Sequence, residues 1–232
     1  MLFNLIRAFS SGDPDTIKIY VAVLLLSLPV VFLTLSVHET AHGYVAYKLG
    51  DPTAKSLGRL TLNPFKHFEP IGFLMMLIVG YGWAKPVPIN TRYFKNPKRD
   101  MAICAAAGPL SNLLMAILFA GLFKIFTLIV APMTITSATA YNAIMLTYIF
   151  FKTAISINVT FAVFNLIPIP PFDGSRIILT FLPSDLYFKI QRYERYIMIG
   201  FFILLLTDVL DPIFNLAFDS VTNLILRLFG LI

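Results

Sequence analysis

Two histidines and a glutamate lie together at the end of a long apolar stretch, in the pattern His38-Glu39-Thr-Ala-His42. If this stretch is a helix, the two imidazoles lie one turn apart on one face, about 6 Å from each other, and both can reach one metal ion. Zinc accepts such nitrogens at about 2.0 to 2.1 Å. Glu39 projects about 100° away around the helix, where it can act on water instead of binding the metal.

The alternative is a chance match in which neighbouring carbonyl groups satisfy both histidines. The surroundings argue against it, because ionisable side chains inside a membrane are costly and are functional by default. A bound divalent cation offsets much of that cost. The pattern therefore favours a site for one Zn²⁺ ion.

A catalytic zinc needs a third protein ligand, and Asp173 is the strongest candidate. It lies in the stretch "NLIPIPPFDGSR", where three prolines and a glycine break the helix and can direct a carboxylate into a buried site. An Asp-Gly turn at a helix start is the alternative. His67 is the competing ligand, but Lys66 and Glu69 beside it favour an interfacial histidine held by a neighbour.

The composition predicts an integral membrane protein. Of the 232 residues, 58% are hydrophobic and 13% are charged, with a mean hydropathy of +0.80, whereas soluble domains carry about 25% charged residues. The net charge is +6, but no basic patch is interleaved with exposed aromatic residues. The composition therefore predicts a lipid bilayer as a partner, and not nucleic acid.

The apolar runs predict an all-α polytopic membrane protein with about four to six membrane segments. Residues 1–232 form one predicted domain, with a possible interfacial segment at 1–18 and a core over 19–211. The predicted spans are about 19–47, 101–123, a third that ends near 167, and 196–206. The sequence leaves open whether residues 213–232 span the membrane or lie in its interface.

Residues 71–90 predict a small re-entrant β-hairpin near the site. The apolar part, 71–79, is too short to span as a helix. Gly80-Tyr-Gly82 is a turn signal, and Pro86 and Pro88 are typical of an edge strand. Such backbone is tolerated at membrane depth only where protein covers it or a wet cavity lies beside it.

The distribution of basic residues predicts the orientation in the cell membrane. Lys and Arg cluster in the loops 48–70, 91–100 and 176–195, whereas the loop near 131–140 has no charge. The positive-inside rule places the basic face in the cytoplasm. His42 and His38 then lie about 9 and about 15 Å from the cytoplasmic end of their helix, at 1.5 Å per residue.

These motifs together resemble the site-2 protease family of intramembrane zinc metalloproteases, most closely its short bacterial members without an added regulatory domain. The similarity runs from about Leu33 to Arg176. It rests on five stretches in order: "HETAHGYVAYKLGD", "GRLTLNPFKHFEPIG", "GWAKPVPIN", "AAAGPLSN" and "NLIPIPPFDGSR". One small departure is Phe172, where leucine commonly precedes the aspartate.

The resemblance implies that His38, His42 and Asp173 hold zinc and that Glu39 is the catalytic acid and base. It also implies that Asn112 contacts the substrate, although a polar contact between helices is an equal alternative from the residues alone. The predicted activity is hydrolysis of peptide bonds in or near transmembrane segments. The rival hypothesis is a non-catalytic zinc-binding membrane protein: a pseudoprotease, a chaperone or a metal carrier.

Overall fold

A computed structural model describes residues 9, 10, 12–79, 82–205, 207 and 209–232. These residues are mainly helical and contain no β-strand. The helices are α1 (Pro14–Lys48), α2 (Thr53–Ser56), α3 (Pro70–Val79), α4 (Pro97–Val130), α5 (Ala138–Asn165), α6 (Asp173–Leu179), α7 (Ser184–Leu205) and α8 (Asp211–Leu228). Short 3₁₀ turns lie at Pro64–Lys66 and Thr91–Tyr93.

Three of the described helices, α1, α4 and α5, are long and apolar enough to cross a membrane. Helix α1 begins after Asp13, whose carboxylate accepts hydrogen bonds from the backbone N–H groups of Asp15 and Thr16, and this cap satisfies donors that the first turn leaves free. The helix ends before Gly50, whose φ of 107° suits a residue without a Cβ.

The three long helices pack against one another, and α8 packs against α4 and α5. Their shared core combines small residues, such as Ala116 and Ala154, with larger ones, such as Phe123 and Ile155. Small side chains let the helices approach closely, which is the usual basis of helix association in lipid. The packing therefore holds the three spans in a fixed arrangement.

The order of the spans places the predicted ligands at one end of the bundle. Consecutive spans run in opposite directions, so the C-terminal end of α1, the N-terminal end of α4 and the C-terminal end of α5 lie on the same side. His38 and His42 lie near the end of α1, and Asp173 follows α5 after a short turn. Residues far apart in sequence can therefore meet.

The predicted β-hairpin at 71–90 is wrong for the described residues. Pro70–Val79 is a helix, which satisfies its own backbone hydrogen bonds, and residues 82–90 form neither helix nor strand. Pro86, Pro88 and the residues that precede them favour an extended backbone in this segment. Pro86 and Pro88 lack the N–H donors that a ladder needs. The chain nevertheless doubles back and brings Trp83 against Gly72. The two residues lie so close that a Cβ at Gly72 would overlap the carbonyl oxygen of Trp83. The predicted turn at Gly80-Tyr81 falls outside the described residues.

The number of predicted membrane segments, four to six, was also too high for the described part of the chain, where three helices qualify. The predicted fourth span forms the second half of α7. The first half of that helix carries Asp185, Lys189 and Arg192, and the apolar remainder is much shorter than the roughly 20 residues that a span requires. Residues 1–8 and 11 of the predicted interfacial segment lie outside the described chain, and residues 14–18 belong to α1.

Candidate metal centre and active site

Helix α1 presents the two histidines as the sequence predicts. His38 and His42 are buried, with 5% and 7% of their surfaces exposed. Their Nε2 atoms are 3.0 Å apart, and the two rings are nearly perpendicular, at 87°. The helical spacing of four residues therefore brings one nitrogen of each ring to a common point.

Asp173 reaches the same point from the first residue of α6. Its Oδ2 atom lies 3.2 Å from His38 Nε2 and 3.1 Å from His42 Nε2. The neighbouring Gly174 permits this approach, because a Cβ there would overlap the carbonyl of Leu166 at the end of α5. The glycine thus lets α6 pack directly against the preceding helix end.

The three ligand atoms fit a zinc ion. They all lie within 4.8 Å of one another, and a tetrahedral ion with ligands at about 2.0 to 2.1 Å holds such atoms about 3.3 Å apart. Asp173 Oδ2 is buried and has no hydrogen bond, although two imidazole nitrogens are close. A cation bound among the three atoms would supply the partner that this buried oxygen lacks.

A glycine on α4 keeps the space between the histidines open. A Cβ at Gly108 would overlap Nε2 of His42 and would lie 2.6 Å from Nε2 of His38. No side chain fits there without displacing both imidazoles. The sequence motif "AAAGPLSN" contains this glycine, but neither its composition nor its spacing indicated that it borders the metal site.

The second nitrogen of each histidine also has a partner. His42 Nδ1 lies 2.7 Å from the carbonyl oxygen of Cys104, and His38 Nδ1 lies 3.1 Å from the side-chain amide nitrogen of Asn112. Both partners belong to α4. Asn112, predicted as a substrate contact, is fully buried and lies beside a predicted ligand; its role toward substrate stays a prediction.

Glu39 is half-buried next to the cluster. Its Oε2 atom accepts a hydrogen bond of 2.7 Å from the backbone N–H of Val87. That contact links the predicted catalytic carboxylate to the extended segment 82–90. Sequence reasoning missed Val87, because a backbone donor leaves no mark on the residue type.

His67, the competing ligand, lies elsewhere. It is 2% exposed, and its Nε2 atom lies 2.8 Å from the carbonyl oxygen of Thr61. Among the described residues, the only group of histidine, cysteine and acidic side chains that could hold a metal ion is His38, His42 and Asp173. A buried helical H-E-x-x-H pair completed by a distant carboxylate is the type of site found in zinc metalloproteases.

Comparison with known proteins gives the family. The model of peptidase family M50 matches residues 124–207. "Putative zinc metalloprotease YwhC" of Bacillus subtilis is 40% identical over 210 residues, which cover 87% of this chain and 93% of that protein. "Putative zinc metalloprotease Rip2" of Mycolicibacterium smegmatis is 32% identical over 168 residues, which cover 69% of this chain and 59% of that protein. No solved structure matches.

The chain belongs to peptidase family M50, the site-2 proteases. It is thus a zinc metalloprotease of the membrane-embedded class, which agrees with its three long apolar helices. The family assignment and the cluster of two imidazoles and one carboxylate point to the same cofactor.

Proposed function

We propose that this protein hydrolyses peptide bonds in or near the transmembrane segments of other membrane proteins, with one zinc ion held by His38, His42 and Asp173. The observation that carries the proposal is the meeting of three ligand atoms from α1 and α6 at one buried point. Glu39, one residue from a ligand, is the acid and base in this proposal. Residues 1–232 act as one intramembrane domain.

Zinc, when bound, lowers the pKa of a water molecule toward neutrality and polarises the scissile carbonyl group. Glu39 removes the proton from the attacking water and delivers it to the leaving amine. One of its oxygens already accepts the Val87 N–H, and no hydrogen bond occupies the other oxygen in the described structure. That free oxygen is the atom that carries the proton.

The extended segment 82–90 is the proposed contact for the substrate backbone. A helical substrate must unwind before its peptide bond can be attacked, because its backbone groups are paired within the helix. The N–H of Lys85 donates a hydrogen bond to the carbonyl oxygen of His67, and the N–H of Val87 donates one to the Glu39 carboxylate. Pro86 and Pro88, on the opposite edge of an extended chain, offer carbonyl acceptors but no donors. An unwound substrate strand can donate hydrogen bonds to them.

The proposed location is the cell membrane, with the active site toward the cytoplasm. The connection between α1 and α4 contains six basic residues, and the connection between α4 and α5 contains none. The basic connection lies at the same end of the bundle as the three ligands, and basic loops are retained in the cytoplasm. The substrate proposed is a single-span membrane protein or its remnant.

Replacement of Glu39 by glutamine tests the catalytic role. Glu39→Gln keeps the shape and the hydrogen bond from Val87 but cannot take up a proton, so we expect zinc content to be retained and cleavage to be lost. The measurements are zinc per chain and cleavage of a generic single-span substrate in detergent or vesicles. Full proteolysis by metal-loaded Glu39→Gln enzyme contradicts the assignment.

The wild-type protein in the same assay decides between the two classes of function. Zinc bound in one-to-one ratio together with cleavage supports the protease. Zinc bound without any turnover of several transmembrane substrates favours the non-catalytic alternative.

A further inference from the structure

Asn112 and His38 form a buried side-chain pair between α4 and α1. The Asn112 amide nitrogen lies 3.1 Å from His38 Nδ1, and neither side chain has access to bulk solvent, because Asn112 is fully buried and His38 is 5% exposed. The amide oxygen of Asn112 has no hydrogen-bond partner. We propose that Asn112 is a positioning residue, whose carbonyl oxygen holds the Nδ1–H of His38 and so directs its Nε2 lone pair at the metal. This proposal rests on His38 being a zinc ligand.

The argument begins with the two tautomers of a neutral imidazole. An amide NH₂ directed at Nδ1 requires a lone pair on Nδ1, which puts the proton on Nε2. A protonated Nε2 cannot bind zinc. Rotation of the Asn112 amide by half a turn exchanges its nitrogen and oxygen without moving the rest of the side chain, and the two atoms are assigned from the hydrogen-bond network rather than from their shape. Only the rotated amide is compatible with His38 as a ligand.

The Nδ1 atom of His42 also faces a hydrogen-bond partner on α4. This partner is a backbone carbonyl, which can only accept and cannot exchange a donor for an acceptor as an amide can. His42 Nδ1 lies 2.7 Å from the Cys104 carbonyl, an acceptor in every state of the protein. His42 therefore carries its proton on Nδ1 and presents the Nε2 lone pair to the site. Ligand histidines commonly donate their second N–H to a carbonyl or carboxylate. Asn112 gives His38 the acceptor that the helix backbone gives His42.

Burial separates this role from substrate binding. A residue that contacts the substrate backbone must expose a polar atom to it, but Asn112 is 0% exposed. Its side-chain nitrogen lies 3.1 Å from the predicted ligand His38. A positioning role predicts that Asn112 controls zinc affinity, whereas a substrate contact predicts control of KM alone.

The experiment compares three substitutions in the full-length purified protein. Asn112→Leu keeps the approximate volume and removes the acceptor. Asn112→Asp keeps an acceptor oxygen and loses the amide donor. Asn158→Leu is the matched control, because Asn158 is also fully buried, also has an amide oxygen without a partner, and bonds only to the Ala154 carbonyl in α5. Zinc affinity is measured by competition with a chromophoric chelator, together with kcat and KM.

We expect Asn112→Leu to lower zinc affinity by about 10- to 100-fold, which is typical of lost partners behind a metal ligand. Asn112→Asp and Asn158→Leu should bind zinc as the wild type does. Wild-type zinc affinity in Asn112→Leu, or a raised KM as its only defect, overturns the proposal. If Asn112→Leu does not fold, Asn112→Asp decides alone, since weakened zinc binding there contradicts an acceptor role.

His38→Ala distinguishes this inference from the proposed function. If His38→Ala binds zinc as tightly as the wild type, the ligand assignment itself is wrong. If His38→Ala loses zinc while Asn112→Leu retains it, the ligand assignment stands and the role of Asn112 is wrong.

Discussion

At Gly108 the candidate metal centre has room only for a hydrogen atom, which is the glycine side chain. A methyl group there would overlap Nε2 of His42 and crowd His38. We therefore expect Gly108→Ala to lower zinc content sharply and to abolish cleavage. Alanine is a better helix former than glycine by about 1 kcal/mol, so a loss of zinc cannot come from a weakened α4. Zinc per chain and the thermal unfolding temperature are the measurements.

Gly200→Ala is the control for this substitution. Gly200 also lies within a helix, α7, and a Cβ added there meets no atom within 4 Å. The Gly200→Ala substitution should leave zinc content unchanged. A Gly108→Ala protein that holds one zinc per chain and cleaves normally would show that the two histidines can move apart, contrary to the packing described.

At the scale of elements, the extended segment 82–90 connects the active site to the rest of the fold. The Val87 N–H donates to Glu39, and the Asn90 N–H donates at 2.7 Å to Oδ2 of the buried Asp51. Arg59 donates at 2.7 Å to the carbonyl oxygen of Lys85. The segment is thus fixed on both sides of Val87, the residue that contacts the Glu39 carboxylate.

Val87→Pro tests whether this contact orients Glu39. Proline removes the N–H, and a hydrogen bond to a charged group is worth roughly 1.5 to 3 kcal/mol, so kcat should fall about 10- to 100-fold. Zinc content should not change, because Val87 contacts no ligand. Val87→Ala keeps the donor and should retain most of kcat. An equal fall in both variants would assign the effect to the valine side chain.

The sequence predicted which side chains lie together better than it predicted the elements around them. His38, Glu39 and His42 follow helical spacing, and Asp173 follows a proline-broken helix end; both signals are local. Pro70–Val79 forms a helix rather than the predicted strand, because a run too short to span a membrane can still be a short helix. Contacts made by backbone atoms, such as the Val87 N–H, cannot be predicted from residue types.

At the scale of the whole molecule, the order of the three described helices that are long enough to span a membrane explains how the predicted ligands meet. The ends of α1 and α5 lie at one end of the bundle, together with the start of α4. A single additional span between α1 and α5 would put Asp173 on the side opposite to His38 and His42. The short distances among the three predicted ligand atoms therefore require the ends of α1 and α5 to lie on the same side.

The same topology predicts which loops reagents reach from outside the cell. Cys104 is the only cysteine, and Cys104→Ala gives a background in which single cysteines can be placed at the exposed positions Ser56 and Thr136. We expect a membrane-impermeant maleimide to label Thr136→Cys in intact cells. It should label Ser56→Cys only after permeabilisation, because the positive-inside rule predicts that the loop with basic residues faces the cytoplasm. The reverse pattern would place the active site toward the exterior, and labelling of both positions from one side would contradict the three-span arrangement.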